Sequence, residues 1–240
     1  MLFDGLAISA IRRLLTQFGA QVASLSVTHF CMNNNHPISL NEKSLAEGVA
    51  ALCQIDSALQ EVIARFGIPP LWAREPDFAT LLKIILEQQV SLASAQATYD
   101  KLNNDVNEIT PQTFLKFNDA ELKGFGFSRQ KTRYGRILSE AILSGEFDPD
   151  ALKTLDDESV HQELTKLTGI GPWTANIYLL MALRRPDIWP SGDIALAKAM
   201  QQVKKLDARP NNDEQLSIAE AWKPWRSVAA RILWHHYLSV

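Results

Sequence analysis

Leu167-Thr168-Gly169-Ile170-Gly171-Pro172-Trp173-Thr174-Ala175 decides how this chain folds. Two glycines flank one apolar residue, and the segments on either side, 156–167 and 172–183, read as two further helices. Glycine takes the backbone angles of a tight turn at little steric cost, so the chain can reverse while Ile170 packs inward. Pro172 directly after Gly171 marks a helix start, because proline at the first helical position sacrifices no hydrogen bond. The open amides of such a turn, beside the positive end of a helix, suit a phosphate oxygen. Thr168, Gly169, Ile170, Gly171 and Thr174 are therefore candidate contacts to a nucleic-acid backbone, of the kind that ignores base sequence. A plainer alternative is a crowded helix–helix corner, and the glycines alone do not separate the two.

Outward from this stretch the pattern stays helical. Leu45, Val49, Leu52, Ile55, Leu59, Val62 and Ile63 recur at three- and four-residue spacing and predict one helix over 44–66. Gly67 and the Pro69–Pro70 pair end it. Further helices are predicted over 77–87 and 91–102, with short ones after the polar segment 103–111. Ser128 is expected to cap a helix running to Leu143, before Gly145, and Asp193 to open one running to Val203. Segments 214–221 and 225–238 close the chain. Sustained period-two alternation is missing, so the fold class is all-α.

The 240 residues can bury a substantial core, as one large domain or two smaller lobes. With 46% hydrophobic and 21% charged residues the chain reads as an ordinary soluble protein. A net charge of −3 hides any basic surface, yet between Glu121 and Glu140 the charged residues are all basic: Lys123, Arg129, Lys131, Arg133 and Arg136. Arg129 and Lys131 are the candidate phosphate contacts there, against the plainer reading of a solvated helix face. Cys31 and Cys53, the two cysteines, cannot make a four-cysteine zinc or iron–sulfur site, and no metal is firmly predicted. They suggest a reducing cytoplasm and no disulfide framework. No apolar run approaches the roughly 20 residues of a membrane span. Residues 1–31 read as an N-terminal extension of uncertain status, with Met32 as an alternative start. Residues 32–240 form the main domain.

Beyond the turn stands Asp187-Ile188-Trp189-Pro190-Ser191-Gly192-Asp193. Here the chain resembles the helix–hairpin–helix DNA glycosylases, whose signature is this hairpin followed by a Gly/Pro-rich loop and an aspartate. Ile84-Ile85-Leu86-Glu87-Gln88-Gln89-Val90-Ser91, Gly126-Phe127-Ser128-Arg129-Gln130-Lys131 and Trp222-Lys223-Pro224-Trp225-Arg226-Ser227 are similar to its DNA-3-methyladenine glycosylase II (AlkA-type) branch. The likeness runs from about residue 45 to the C-terminus. It implies a two-lobed all-α fold with an interlobe cleft, acting as a monomer on double-stranded DNA that carries alkylated bases.

The resemblance also assigns roles. Asp193 becomes the carboxylate that meets positive charge on the sugar as the N-glycosidic bond stretches. Without the hairpin before it, a helix cap would be the preferred reading; with the hairpin catalysis is preferred, and the two roles are compatible. Lyase-active relatives carry a lysine just after the hairpin, but this chain has Trp173, and an indole is no Schiff-base nucleophile. Trp173 and Trp234 are the expected walls of a pocket for an extruded base, with Tyr178 and Trp189 as weaker members. Core packing is the competing reading for each, and the preferred one for Trp222 and Trp225. Where the branch has a tyrosine, four residues after the hairpin tryptophan, this chain has Ile177, which predicts altered base selectivity. Gln89 falls at the position that wedges into the duplex, with Gln88 and Ser91 beside it. No cofactor is expected, apart from a monovalent cation that the family's hairpin sometimes holds by backbone carbonyls. Three rival readings remain: a glycosylase of the same fold for oxidised or mismatched bases, a non-catalytic DNA-binding module, and an all-α protein-interaction domain without salt-sensitive DNA affinity.

Overall fold

Side-chain caps set most helix boundaries. The computed structural model describes residues 37–240; the expected extension 1–31 and Met32 lie outside the described residues. Within them run twelve α-helices: α1 Glu42–Ile55, α2 Ser57–Phe66, α3 Phe78–Glu87, α4 Leu92–Asp105, α5 Pro111–Phe114, α6 Asp119–Phe125, α7 Arg129–Ser144, α8 Asp157–Thr165, α9 Pro172–Met181, α10 Ile194–Val203, α11 Asn212–Glu220 and α12 Arg226–Ser239. One 3₁₀ turn, Ala151–Thr154, joins them, and there is no strand among the described residues. Asp77, Ser91, Ser128 and Asp193 each accept a backbone N–H of the first turn that follows, giving α3, α4, α7 and α10 defined starts. Gly145 ends α7 in the left-handed conformation.

The single helix expected over 44–66 is two. Asp56 interrupts it with extended backbone, closing α1 and capping α2 by accepting from Ala58 and Leu59 N–H at 3.1 and 3.2 Å. The carboxylate is held from far along the chain, by Lys204 Nζ at 2.9 Å and the indole N–H of Trp222 at 2.8 Å. Burial by itself would raise this carboxyl, but the donors from Lys204, Trp222 and Leu59 outweigh it and hold it below the ordinary carboxylate value. A depressed folded-state value means that the unfolded chain takes up the proton first. The stabilisation is therefore present above about pH 4 and disappears as pH falls through the folded value. Unfolding titrations should show Asp56→Asn less stable than the parent at pH 7, with the gap closing toward pH 3. A gap that stayed constant would contradict this account.

Two groups of helices result. Helices α1 and α2, from early in the chain, pack with α10 and α12 from its end, and α11 packs on α12, while α3 to α9 pack with one another. Trp222 is buried in the first group, as its core reading predicted. Trp225 lies against Gly48 of α1, where a Cβ would stand 2.8 Å from the indole. Arg231, fully buried on α12, stitches the groups together by donating to Leu71 O at 2.9 Å and Leu180 O at 2.7 Å, besides Ser227 O in its own helix. Leu180 O belongs to the last turn of α9, where carbonyls lack helical partners, so the guanidinium completes that end. Burial lowers the Arg231 pKa to about 10, and the side chain stays charged at neutral pH.

Candidate active site and nucleic-acid interface

Asp193 lies where the two groups meet. Its backbone caps α10, and Oδ1 accepts from Leu196 N–H at 2.7 Å. Oδ1 also accepts from the indole N–H of Trp234 on α12 at 3.3 Å, and Oδ2 from that of Trp173 on α9 at 3.1 Å. One carboxylate thus collects three N–H donors from three elements, and two come from residues expected as pocket walls. An ionised carboxylate is an acceptor only, so this donor set matches its charged form. Its two oxygens have about four lone-pair sites, so acceptor capacity remains for a water or a cationic centre. Asp193 and Trp173 are half-buried, Trp234 is almost wholly buried, and Ile194 beside the acid is 70% exposed.

The weaker pocket candidates lie elsewhere. Tyr178 is fully buried in the core, its hydroxyl has no hydrogen-bond partner among the described residues, and burial pushes its pKa far above the usual phenol value. Trp189 is also buried and packs on Trp222 with ring centroids 5.6 Å apart. Neither faces Asp193 in the way that Trp173 does. The reason lies in helix geometry: five positions at 3.6 residues per turn turn Tyr178 about 140° away from Trp173, onto the core face. Ile177 is buried too, one turn beyond Trp173.

The hairpin takes the form its sequence implies. Gly169 has φ +98, Ile170 is 4% exposed with its N–H on Leu167 O at 3.0 Å, and Gly171 starts α9. Thr168 and Gly171 are exposed, whereas Thr174 is buried and cannot lie on a DNA backbone as expected. Its hydroxyl accepts instead from Gln88 Nε2 at 3.0 Å, and the same nitrogen donates to Gly169 O at 2.9 Å. Gln88 is therefore committed to the hairpin, while Gln89, with φ +56, and Ser91 are exposed.

The basic run splits. Lys131 reaches Leu86 O at 2.6 Å, completing the C-terminal end of α3, and burial lowers its pKa. Arg136 pairs with Asp119 at 2.7 Å. Lys123, Arg129 and Arg133 are left exposed. Lys131 is thus anchored on α3 through one of its three N–H groups, while the ammonium keeps its charge and two further donors.

Carbonyl oxygens are the donor type that suits a monovalent cation. Of those in the turn, Leu167 O and Gly169 O already accept hydrogen bonds, though each keeps a second lone pair. Among the described residues no group of three His, Cys, Asp or Glu side chains is placed to hold a metal, and no helix is long and apolar enough to cross a membrane.

Residues 82–227 match the family described as "HhH-GPD superfamily base excision DNA repair protein". YfjP of Bacillus subtilis is 30% identical over 186 residues, 74% of this chain and 65% of its own length. A DNA-3-methyladenine glycosylase of the same organism is 29% identical over 180 residues, 70% of this chain and 57% of its own. The chain thus spans less than two thirds of these two relatives. The fold matches that of the Schizosaccharomyces pombe 3-methyladenine DNA glycosylase bound to abasic DNA, with TM-score 0.73, 24% identity, and coverage of 78% of this chain and 95% of that one.

Proposed function

We propose, from the premise that the chain belongs to the HhH-GPD superfamily of base excision DNA repair proteins, that it binds DNA and hydrolyses the N-glycosidic bond of alkylated purines, leaving an abasic site. The observation that carries this reading is the carboxylate of Asp193 held by the two indole N–H groups and its own helix cap.

The chemistry follows from that arrangement. As the C1′–N bond stretches, its electron pair leaves with the base and positive charge builds on the sugar. A fixed carboxylate facing the sugar stabilises that charge more than it stabilises the ground state, in which the sugar is neutral. Water then adds to C1′ and sheds its proton. An N3- or N7-alkylated purine is already cationic and leaves as a neutral base, so the mechanism needs no second acid. Trp173 has no amine, which favours hydrolysis over lyase chemistry. A cationic base also gains from an indole face. A monovalent cation on the hairpin carbonyls would add positive charge beside a phosphate, and no step runs through it.

The test is excision from duplexes carrying 3-methyladenine, 7-methylguanine or ethenoadenine. Release of the two cationic bases is expected, with poor release of the neutral one because Ile177 replaces the expected tyrosine wall. No release of any base would refute the reading.

The indole donors can be tested apart from the rings. Trp173→Phe keeps an aromatic face and removes the donor 3.1 Å from Oδ2. A hydrogen bond to a charged group is worth about 1.5–3 kcal/mol, so single-turnover excision should fall by about tenfold to a hundredfold. Affinity for undamaged duplex should not change.

A further inference from the structure

Three successive residues at the end of α3 are clamped from different sides. Leu86 O takes Lys131 Nζ, Glu87 holds Arg74 through two contacts of 2.8 and 3.0 Å, and Gln88 Nε2 bonds Gly169 O and Thr174 Oγ1. Immediately beyond, the chain is solvent-facing: Gln89, Val90, Ser91 and Leu92 are all exposed, Val90 by 45% and Leu92 by 60%. Gln89 is also held in the left-handed region, at φ +56, which residues with a side chain keep only where the surroundings enforce it. A rigid stalk thus carries a short tip with two exposed apolar side chains. Apolar side chains of this kind can enter between base steps.

We propose that Gln88 is a positioning residue that fixes the tip Gln89–Leu92 to the glycine hairpin, so that the tip enters the duplex at a set offset from the phosphate the hairpin holds. The inference rests on the function proposed above and deepens it. A carbonyl can only accept, so the amide nitrogen is the atom that meets Gly169. Both of its N–H bonds are then used inside the protein, across 81 and 86 residues of sequence. Gln88 acts through the tip rather than on DNA. Without those two bonds the hairpin still meets phosphate, but the offset between phosphate and tip is no longer set.

The experiment uses a duplex with 2-aminopurine beside 7-methylguanine, whose fluorescence rises when the neighbouring base leaves the stack. Gln88→Met keeps the length and bulk of the side chain but cannot donate. It should leave affinity for undamaged duplex unchanged and lower both the fluorescence rise and single-turnover excision by about tenfold, the scale of two neutral hydrogen bonds. Thr174→Val removes one acceptor and should lose less; it decides the matter if Gln88→Met fails to fold. Normal extrusion in both variants overturns the proposal. So does an equal loss of undamaged-DNA affinity and extrusion, which would make Gln88 a support of the hairpin alone, or a parent protein that produces no fluorescence rise. If the parent extrudes the base without releasing it and Gln88→Met weakens extrusion, the positioning role stands and the glycosylase reading falls.

Discussion

Asp193→Asn should lower excision of 7-methylguanine by about a hundredfold to a thousandfold, the range found on removing one preorganised electrostatic contact to developing charge. The substitution separates the two roles that the residue plays. As a cap it is nearly neutral, because Asn serves at a helix N-terminus as well as Asp, and its remaining oxygen can still accept from Leu196 N–H. Folding stability should therefore change by no more than about 1 kcal/mol. As a counter-charge it is a complete loss. The new amide would turn an N–H toward Trp173 Nε1, donor against donor, but that indole is half-buried and can turn to water instead. DNA affinity should hold, since the hairpin is untouched. Single-turnover kinetics with saturating enzyme, set beside duplex binding and thermal unfolding, tests all three statements. Near-normal turnover would remove the carboxylate from the mechanism.

Much of this arrangement was legible in the sequence, and the rest was hidden for identifiable reasons. The glycine turn, Pro172 after it and the caps at Ser128 and Asp193 are local signals, and a reader of sequence can find them. The break at Asp56 was hidden because the apolar spacing continues through it, and its partners Lys204 and Trp222 lie 148 and 166 residues away. Tyr178 and Trp189 were drawn into the pocket by closeness in sequence to Trp173 and Asp193. The angular position of Tyr178 on α9 was a signal that could have placed it in the core.

The polar run Glu87-Gln88-Gln89 was the subtler case. It reads as a solvent-facing surface, because a core helix would continue apolar. Only Gln89 is such a surface; Glu87 and Gln88 are polar because each has a partner in another element. Sequence shows that a polar group is present but not whether water or protein satisfies it. Nor did it show that Trp173 and Trp234 offer Asp193 their N–H edges. A tryptophan invites reading as a stacking face, and its one donor is overlooked.

Gly169→Ala should destabilise the fold by about 3 kcal/mol, combining left-handed backbone strain of about 1–2 kcal/mol with overpacking of about 1–3 kcal/mol. The first part comes from φ +98, which residues with a Cβ rarely adopt. The second comes from Tyr134 on α7: a Cβ on Gly169 would overlap Cγ, Cδ1 and Cδ2 of the ring. These are the ring atoms nearest the side chain's attachment, not the far end of a flexible chain, so making room means moving the whole ring. Tyr134→Ala in the Gly169→Ala background should restore the overpacking part and leave the backbone part. A double-mutant cycle would then show coupling of about 1–3 kcal/mol, as expected for residues in contact. Because the same turn is the proposed phosphate grip, Gly169→Ala should also weaken binding to undamaged duplex and flatten its salt dependence, the mark of a lost phosphate contact. Tyr134→Ala should relieve the overpacking part of the loss in the double variant without recovering that slope, since the turn's amides remain displaced by the strained backbone. Full recovery of both would assign the hairpin a purely structural role. Loss of stability with an unchanged salt slope would place the DNA grip elsewhere, with exposed Arg129 and Arg133 as the next residues to substitute.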